Sequence, residues 1–413
     1  MLASVAVVTS LSCQRRFGLG SAARDAGSDA FQRSSLVVGS FISPSSSAVK
    51  EDAVALVPAA RCGECHGKIE QEWRSSAHAR ADVSQLYRAM RANTAAVDCD
   101  RCHAPLRAVS VSDPTASEGV GCDTCHTLSS VTVGKADGTG YVVHPEDSVR
   151  YGPLCDAEPH YFHRMGCSPL HKTATFCAAC HDYSVTLPSG SQLLVSPEYQ
   201  EWLAESLAGA ALPCQLCHMP GSKGEVAVGS PERPQVPSHS FSTQRLLRAR
   251  ALTGRAQVTA SEGQLMVAIE LTNTGADHSV PTGLPEHQLV ITAELLDRDG
   301  RSLFQQEQVL GRSLVDAAGV EAPFYAAASE TADTRIRASE TRRVTFTLQK
   351  SEAKQLRLAV LWRPISPRLA QRLGLAPPVS EPMIAASVAL PLTRSGKSLG
   401  PHFSTSRSVE LLP

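Results

Sequence analysis

The chain of 413 residues is short of aromatic side chains, at 5% Phe, Trp and Tyr, and short of net charge, at -1. It also lacks any run near the roughly 18 consecutive apolar residues of a membrane helix. Each shortage excludes something. So neutral a chain, with a pI of about 6.9, is not built for a nucleic-acid backbone or an anionic membrane surface. The missing long run argues against a helical membrane span. The missing aromatics pose a problem, because the length suits two or three domains of ordinary size, and something other than Phe, Tyr and Trp must fill their cores. Against these shortages stand 13 cysteines and 14 histidines.

The N-terminus, MLASVAVVTSLSC, is an apolar run of small residues ending at Cys13. Its length suits the apolar region of an export signal and is too short to cross a bilayer. Residues 1–13 therefore read as a signal-like segment, in which Cys13 is a lipid acceptor or the run is simply cleaved. Ser12 suits lipid attachment; Ser10, and the lack of Lys or Arg before the run, do not. Either way the chain is expected outside the cytoplasm, periplasmic or attached to the outer membrane. Residues 14–58, rich in Ser, Ala, Gly and Arg, read as a flexible tether.

Two domains follow. Residues 59–245 hold most of the Cys and His between short helical stretches, and from 250 to 413 cysteine is absent and the period changes. There RAQVTA, LMVAIELTN, QLVITAELLD, SLFQQEQVL, RRVTFTLQ, LRLAVLWR and IAASVALPL are short, apolar-rich and partly alternating, bounded by turn signals such as NTG and DRDG. About seven such strands predict an antiparallel β-sandwich, interrupted by one helix at 366–375. The fold class is thus α+β as separate domains, a mainly helical or irregular one followed by a sandwich. A weak repeat links QEWRSSAHA at 71–79 to QEWLAESLA at 200–208, with Leu207 where His78 would stand.

One pattern recurs five times: Cys62-x-x-Cys65-His66, Cys99-x-x-Cys102-His103, Cys122-x-x-Cys125-His126, Cys177-x-x-Cys180-His181 and Cys214-x-x-Cys217-His218. This is the attachment sequence of c-type haem. In a helical turn positions i, i+3 and i+4 share a face, so both thiols can add to the porphyrin vinyl groups while the imidazole rises beneath the iron as proximal ligand. A single Cys-x-x-Cys is equally a zinc half-site, a redox dithiol or a disulfide. Five, each with its histidine and all between Cys62 and His218, point to five covalently bound haems. About 31 residues per motif cannot wrap each porphyrin singly, so the macrocycles pack on one another and serve as the missing aromatic core. The Cys99 and Cys122 motifs, nearest in sequence after this count, are expected to be close neighbours. Cys155 and Cys167 remain, as a disulfide or as two thiols.

Nine histidines lie outside the motifs, enough for second axial ligands on most irons. His78 follows the first motif in GKIEQEWRSSAHARADVSQLYRAMRA, a helical-looking run in which a continuous helix would carry it about 18 Å from His66. It should therefore serve a different haem. His239 in PSHSF is the next candidate, and His160, His163 and His171 before the fourth motif, with His144, complete the set read from position alone. Met219 adjoins His218 and points elsewhere.

These segments resemble the multihaem c-type cytochromes of the cytochrome c-554 family: CGECHGKIEQEWRSSAHA, EGVGCDTCH, RYGPL through FCAACHD, and YQEWLAESLAGAALPCQLCHMP followed by HSF, together about residues 60–242. The resemblance implies a distal ligand role for His78 in its W-x-x-S-x-H element and for His239. The later LTNTGADHSVPTGLPEHQLVI resembles the β-domain appended to some of these cytochromes, with Asp277 where Gly is usual. It implies that His278 reaches back to a haem, a plain turn histidine being the alternative.

The expected function is extracytoplasmic electron transfer through closely packed, mostly bis-histidine haems, with redox proteins such as other multihaem cytochromes as partners. The alternative is a reductase or oxidase of small nitrogen or sulfur compounds, which needs one iron with an open position.

Overall fold

The computed structural model describes residues 56–390 and 405–413, apart from short stretches at 95–97, 111, 135–138, 146–147, 159, 210, 242–243, 262 and 350–351. The signal-like segment with Cys13, and nearly all of the tether, lie outside the described residues. Among the described residues no helix is long and apolar enough to cross a membrane.

In the first half the cysteine motifs sit on short helical pieces: Ala59–Gly63 leads into the first, and Asp100–His103, Cys122–His126, Ala174–His181 and Cys214–His218 carry the others. Pieces this short do not persist alone. Two-stranded ladders pin them, such as Leu128–Thr132 with Gly140–Val143 and Tyr183–Thr186 with Gln192–Ser196. A parallel pair, Val149–Gly152 with Arg164–Cys167, brings Cys155 and Cys167 to a Cα–Cα distance of 4.6 Å, where they form a disulfide. Protein side chains make little core here. Leu56, Leu106 and Ala116 form one small cluster and Ala174, Ala178 and Tyr199 another. Met90, Leu187, Leu193 and Val195 pack against residues of the second half, and between these clusters lies a cavity of about 2950 Å³ lined by the motif cysteines and histidines, which is where the shortage of aromatics shows.

The run after the first motif is not one helix. It breaks into Gly67–Arg74, a single turn His78–Arg80, and Gln85–Ala92. The serines explain the breaks: Ser75 Oγ donates to the Glu72 carbonyl at 2.7 Å, competing with the helical ladder. Ser84 Oγ accepts from the Tyr87 N–H at 3.2 Å and starts the next helix. His78 therefore reaches its position by a bend, which replaces the straight-helix geometry.

Among the described residues the second half is an antiparallel sandwich of nine strands. One sheet has the spatial order Thr341–Gln349, Gln264–Asn273, Leu252–Ser261, Thr405–Leu411; the other runs Ser329–Asp333, Ser302–Val315, Gln288–Leu296, Gln355–Arg363, Glu381–Ala389. Alternation in Gln264–Asn273 turns Leu265, Val267, Ile269 and Leu271 inward, against Leu289, Ile291, Leu356 and Leu358 of the facing sheet. Each such side chain contributes roughly 1.5–3 kcal/mol on burial. Two strands were not foreseen, Ser329–Asp333 and Thr405–Leu411; they are polar edge strands whose pairing, not their alternation, defines them. The interrupting helix is Pro367–Arg372, capped by Ser366, whose Oγ accepts from the Leu369 N–H at 3.0 Å.

The halves meet along a polar seam. Glu201, on the helix Glu198–Leu207, pairs with Arg335 at 2.8 Å and accepts from the Ser279 N–H at 2.8 Å. Asp277 accepts from the Leu212 N–H at 3.0 Å. This seam sets His278, between Asp277 and Ser279, against the fifth motif.

Candidate functional site

The five turns face one cavity and present thiols to one another. The thiol of Cys62 lies in hydrogen-bonding contact with that of Cys122, Cys102 with Cys180, and Cys177 with Cys214. Cys125 is within electrostatic reach of Cys177 and Cys180. The first motif is thus a neighbour of the third, the third of the fourth, and the fourth of both the second and the fifth. The expectation that the Cys99 and Cys122 motifs pair most closely is not what these thiol contacts show. Asp100 of the second motif is tied by Tyr87 and Arg107 at 2.7 and 2.9 Å, while Asp123 of the third is held by Arg150 at 2.8 Å.

The imidazoles behind the turns are oriented by backbone carbonyls. His66 Nδ1 lies 2.6 Å from Val226 O, His103 Nδ1 2.8 Å from Ala81 O, and His126 Nδ1 2.7 Å from Tyr151 O. A carbonyl can only accept, so Nδ1 carries the proton and Nε2 is left bare, the form that ligates a metal.

Opposite four of the five stands a second imidazole. The ring centres are 6.4 Å apart for His66 and His163, 6.3 Å for His181 and His78, 6.2 Å for His126 and His239, and 6.5 Å for His218 and His278. Two imidazoles in trans on one metal, each with nitrogen about 2 Å from it and ring centre about 1 Å further back, would have centres ~6 Å apart. The four pairs therefore fit a bis-imidazole metal group, and the thiols beside them fit a group held covalently. His239 Nδ1 is engaged by Pro237 O at 3.0 Å and His278 Nδ1 by Ser279 O at 3.1 Å. His78 Nδ1 is buried without a partner. Burial lowers the pKa of His78 to about 3 and of His218 and His239 to about 4, so these rings are neutral at any ordinary pH.

The turn carrying His78 is pinned from the far side. Val120 N–H donates to His78 O at 3.0 Å and Trp73 Nε1 to Val120 O at 2.8 Å. Gly119, at φ +72°, comes so close that a Cβ there would stand 2.4 Å from the His78 carbonyl oxygen. In the repeat, Trp202 Nε1 likewise donates to a loop carbonyl, Leu212 O at 2.7 Å. Leu207, in the place of the histidine, is 82% exposed.

The other candidates are placed differently. His103 has no second imidazole paired with it among the described residues; Tyr87 stacks on its face at 4.3 Å and 19°. His171 is 5.9 Å from His126, but its Nε2 is held at 3.0 Å by Cys125 O, a carbonyl of the same turn, which puts it beside His126 and leaves His239 opposite. His160 stacks with Tyr161 and Phe162 at 4.2 and 5.8 Å. His144 is tied through its backbone N–H to Thr127 O at 3.0 Å. Sequence reasoning gave no role to His287, yet it lines the cavity, with Nδ1 2.6 Å from Thr282 O and its ring 5.0 Å from Trp362. No pattern around it distinguishes it from a surface histidine.

Attachment turns that converge on one cavity, with imidazoles facing across it, are the arrangement of a multihaem c-type cytochrome, which the chain resembles. Residues 61–127 match the family model of cytochrome c554 and c-prime, a segment that spans the first three motifs. The fold is similar to that of a penta-heme cytochrome c552 from Thermochromatium tepidum, at 20% sequence identity and a TM-score of 0.66, covering 81% of this chain and 99% of that one. No curated protein matches the chain.

Proposed function

We propose that the chain is a pentahaem c-type cytochrome that moves single electrons outside the cytoplasm between redox partner proteins. The four imidazole pairs with ring centres 6.2 to 6.5 Å apart carry this reading. Bound haem would supply the one-electron couple. The chain's own part is to attach, orient and space. The ten motif cysteines would hold haem through thioethers, and His66, His103, His126, His181 and His218 would ligate the irons from the attachment side. His163, His239, His78 and His278 would close the other side of the first, third, fourth and fifth sites, which would favour low potential and leave no room for substrate. On this reading electrons would pass in the order first, third, fourth, fifth motif, with the second branching from the fourth, an order the thiol neighbourhoods support.

One observation favours a second activity at that branch. Among the described residues no second imidazole is paired with His103, and the side chains within electrostatic reach of Cys99 include Tyr183 and Tyr325, which pack with Leu86, Met90 and Phe324 in one apolar cluster. An iron held there by His103 would meet no second protein imidazole among the described residues and could take a small nitrogen or sulfur compound. Export by residues 1–13, with Cys13 either a lipid acceptor or removed with a cleaved signal, belongs to the same reading of a chain that works beyond the cytoplasm.

Mass spectrometry of the acid-denatured chain should find five haems still attached, and reductive titration should take up five electrons per chain. Fewer than five of either would defeat the pentahaem reading. Carbon monoxide binding by one iron in five would support the open site; none would remove it.

A further inference from the structure

The site beside Cys99 is roofed by the sandwich domain, and behind that roof is an acid the sandwich does not need. Glu286 is 7% exposed. Its Oε1 accepts from the Phe324 N–H at 2.7 Å, and its Oε2 is buried without a hydrogen bond from any other residue, with only the acid's own N–H nearby. A leucine would pack there without leaving an oxygen unsatisfied, and buried, half-partnered acids cluster where proton transfer matters. Phe324 and Tyr325 line the cavity, and Tyr325 is within electrostatic reach of both Glu286 and Cys99. The acid and the attachment thiol therefore flank one residue.

The charges facing Glu286 do not settle it as an anion. Arg312 favours the carboxylate, but that guanidinium is already held by Glu330 at 2.6 Å; Glu321 opposes it. Tyr325 offers a hydroxyl, itself within reach of Arg372, and the adjoining His287 has its Nδ1 on Thr282 O. Burial outweighs the N–H groups of Phe324 and of Glu286 itself, and raises the carboxyl to about 7, so its proton is exchangeable near neutrality.

We infer that Glu286 is a positioning residue that takes up the proton accompanying an electron delivered to the iron of the Cys99 motif. The step balances as one electron, from a redox partner or chemical reductant, added to that iron, and one proton, from water, added to the Glu286 carboxylate. Oxidation releases both. The inference rests on the pentahaem reading, and it gives the sandwich domain a part in setting the potential of a haem it does not attach.

Optical redox titration of the whole haem-loaded protein at several pH values tests it. One couple of five should fall by up to about 59 mV per pH unit, a tenfold change per unit, around neutrality. In Glu286→Gln, which keeps an oxygen for the Phe324 N–H, that slope should vanish; in Tyr325→Phe it should persist. A reduced-minus-oxidised infrared difference spectrum of the unaltered protein should show a protonated carboxyl band appearing on reduction, which serves even if a variant fails to fold. A pH-independent couple, or a slope that survives Glu286→Gln, overturns the inference. A peptide carrying Cys99 and Cys102 without haem would instead show that the pentahaem reading has failed.

Discussion

Glu201→Ala probes the seam on which the fifth imidazole pair depends. Arg335 keeps only 9% of its side chain exposed and divides its charge between Glu201 at 2.8 Å and Asp333 at 2.7 Å. Burial works against that charge, and Asp333 and Glu201 together outweigh it. Breaking a buried pair outright costs about 3–5 kcal/mol. Asp333 remains, so about half of that is expected, and the Ser279 N–H left without its acceptor adds about 1 kcal/mol. A total near 3 kcal/mol lowers the transition of a domain this size by roughly 6–12 °C. Calorimetry of the haem-loaded protein reads it, with Arg335→Met and the double variant completing a cycle whose coupling should reach about 1.5–3 kcal/mol. A loss below about 0.5 kcal/mol, or strictly additive effects, would show that the seam is solvent-relaxed and does not hold His278 in place.

Other expectations follow from the same geometry. His78→Ala should leave every haem attached yet turn one low-spin iron high-spin, seen by paramagnetic resonance; an unchanged spectrum contradicts its place opposite His181. Gly119→Ala should cost about 1–3 kcal/mol, since φ is +72° and the new Cβ meets the His78 carbonyl, and should broaden the same iron's signal; wild-type stability by thermal unfolding would refute the close approach. Glu286 gives stability a pH dependence of defined sign. Its pKa is about 7 folded against 4.5 unfolded, so the folded chain binds the extra proton and its contribution, full below about pH 4.5, is lost as pH rises to 7, up to about 3 kcal/mol. Denaturant titrations of Glu286→Gln should lack that decline.

The attachment turns were readable because their chemistry is local: i, i+3 and i+4 on one turn need no tertiary knowledge. The strands of the sandwich core were readable for a similar reason, alternation being a property of each segment, whereas Ser329–Asp333 and Thr405–Leu411 are strands only because a neighbour pairs with them. What faces each turn was not readable. His78 meets His181, and His218 meets His278 from another domain, across distances in sequence that no spacing rule reports. Position alone left His160, His163 and His171 indistinguishable; the structure separates them by which carbonyl or ring each meets. The break at Ser75 to Ser84 was hidden in a run free of proline, because serine ends a helix by its side-chain hydrogen bonds and not by a forbidden backbone. Glu286 carried no signal at all, since an acid between apolar stretches reads as a surface residue until its burial is seen.

The central proposal is that five haems share this cavity, four closed by a second imidazole and one, at His103, facing none among the described residues. Electron paramagnetic resonance with magnetic circular dichroism of the oxidised, haem-loaded protein tests it most directly. The account predicts four low-spin irons and one high-spin iron. Five low-spin irons, or more than one high-spin iron, would contradict it.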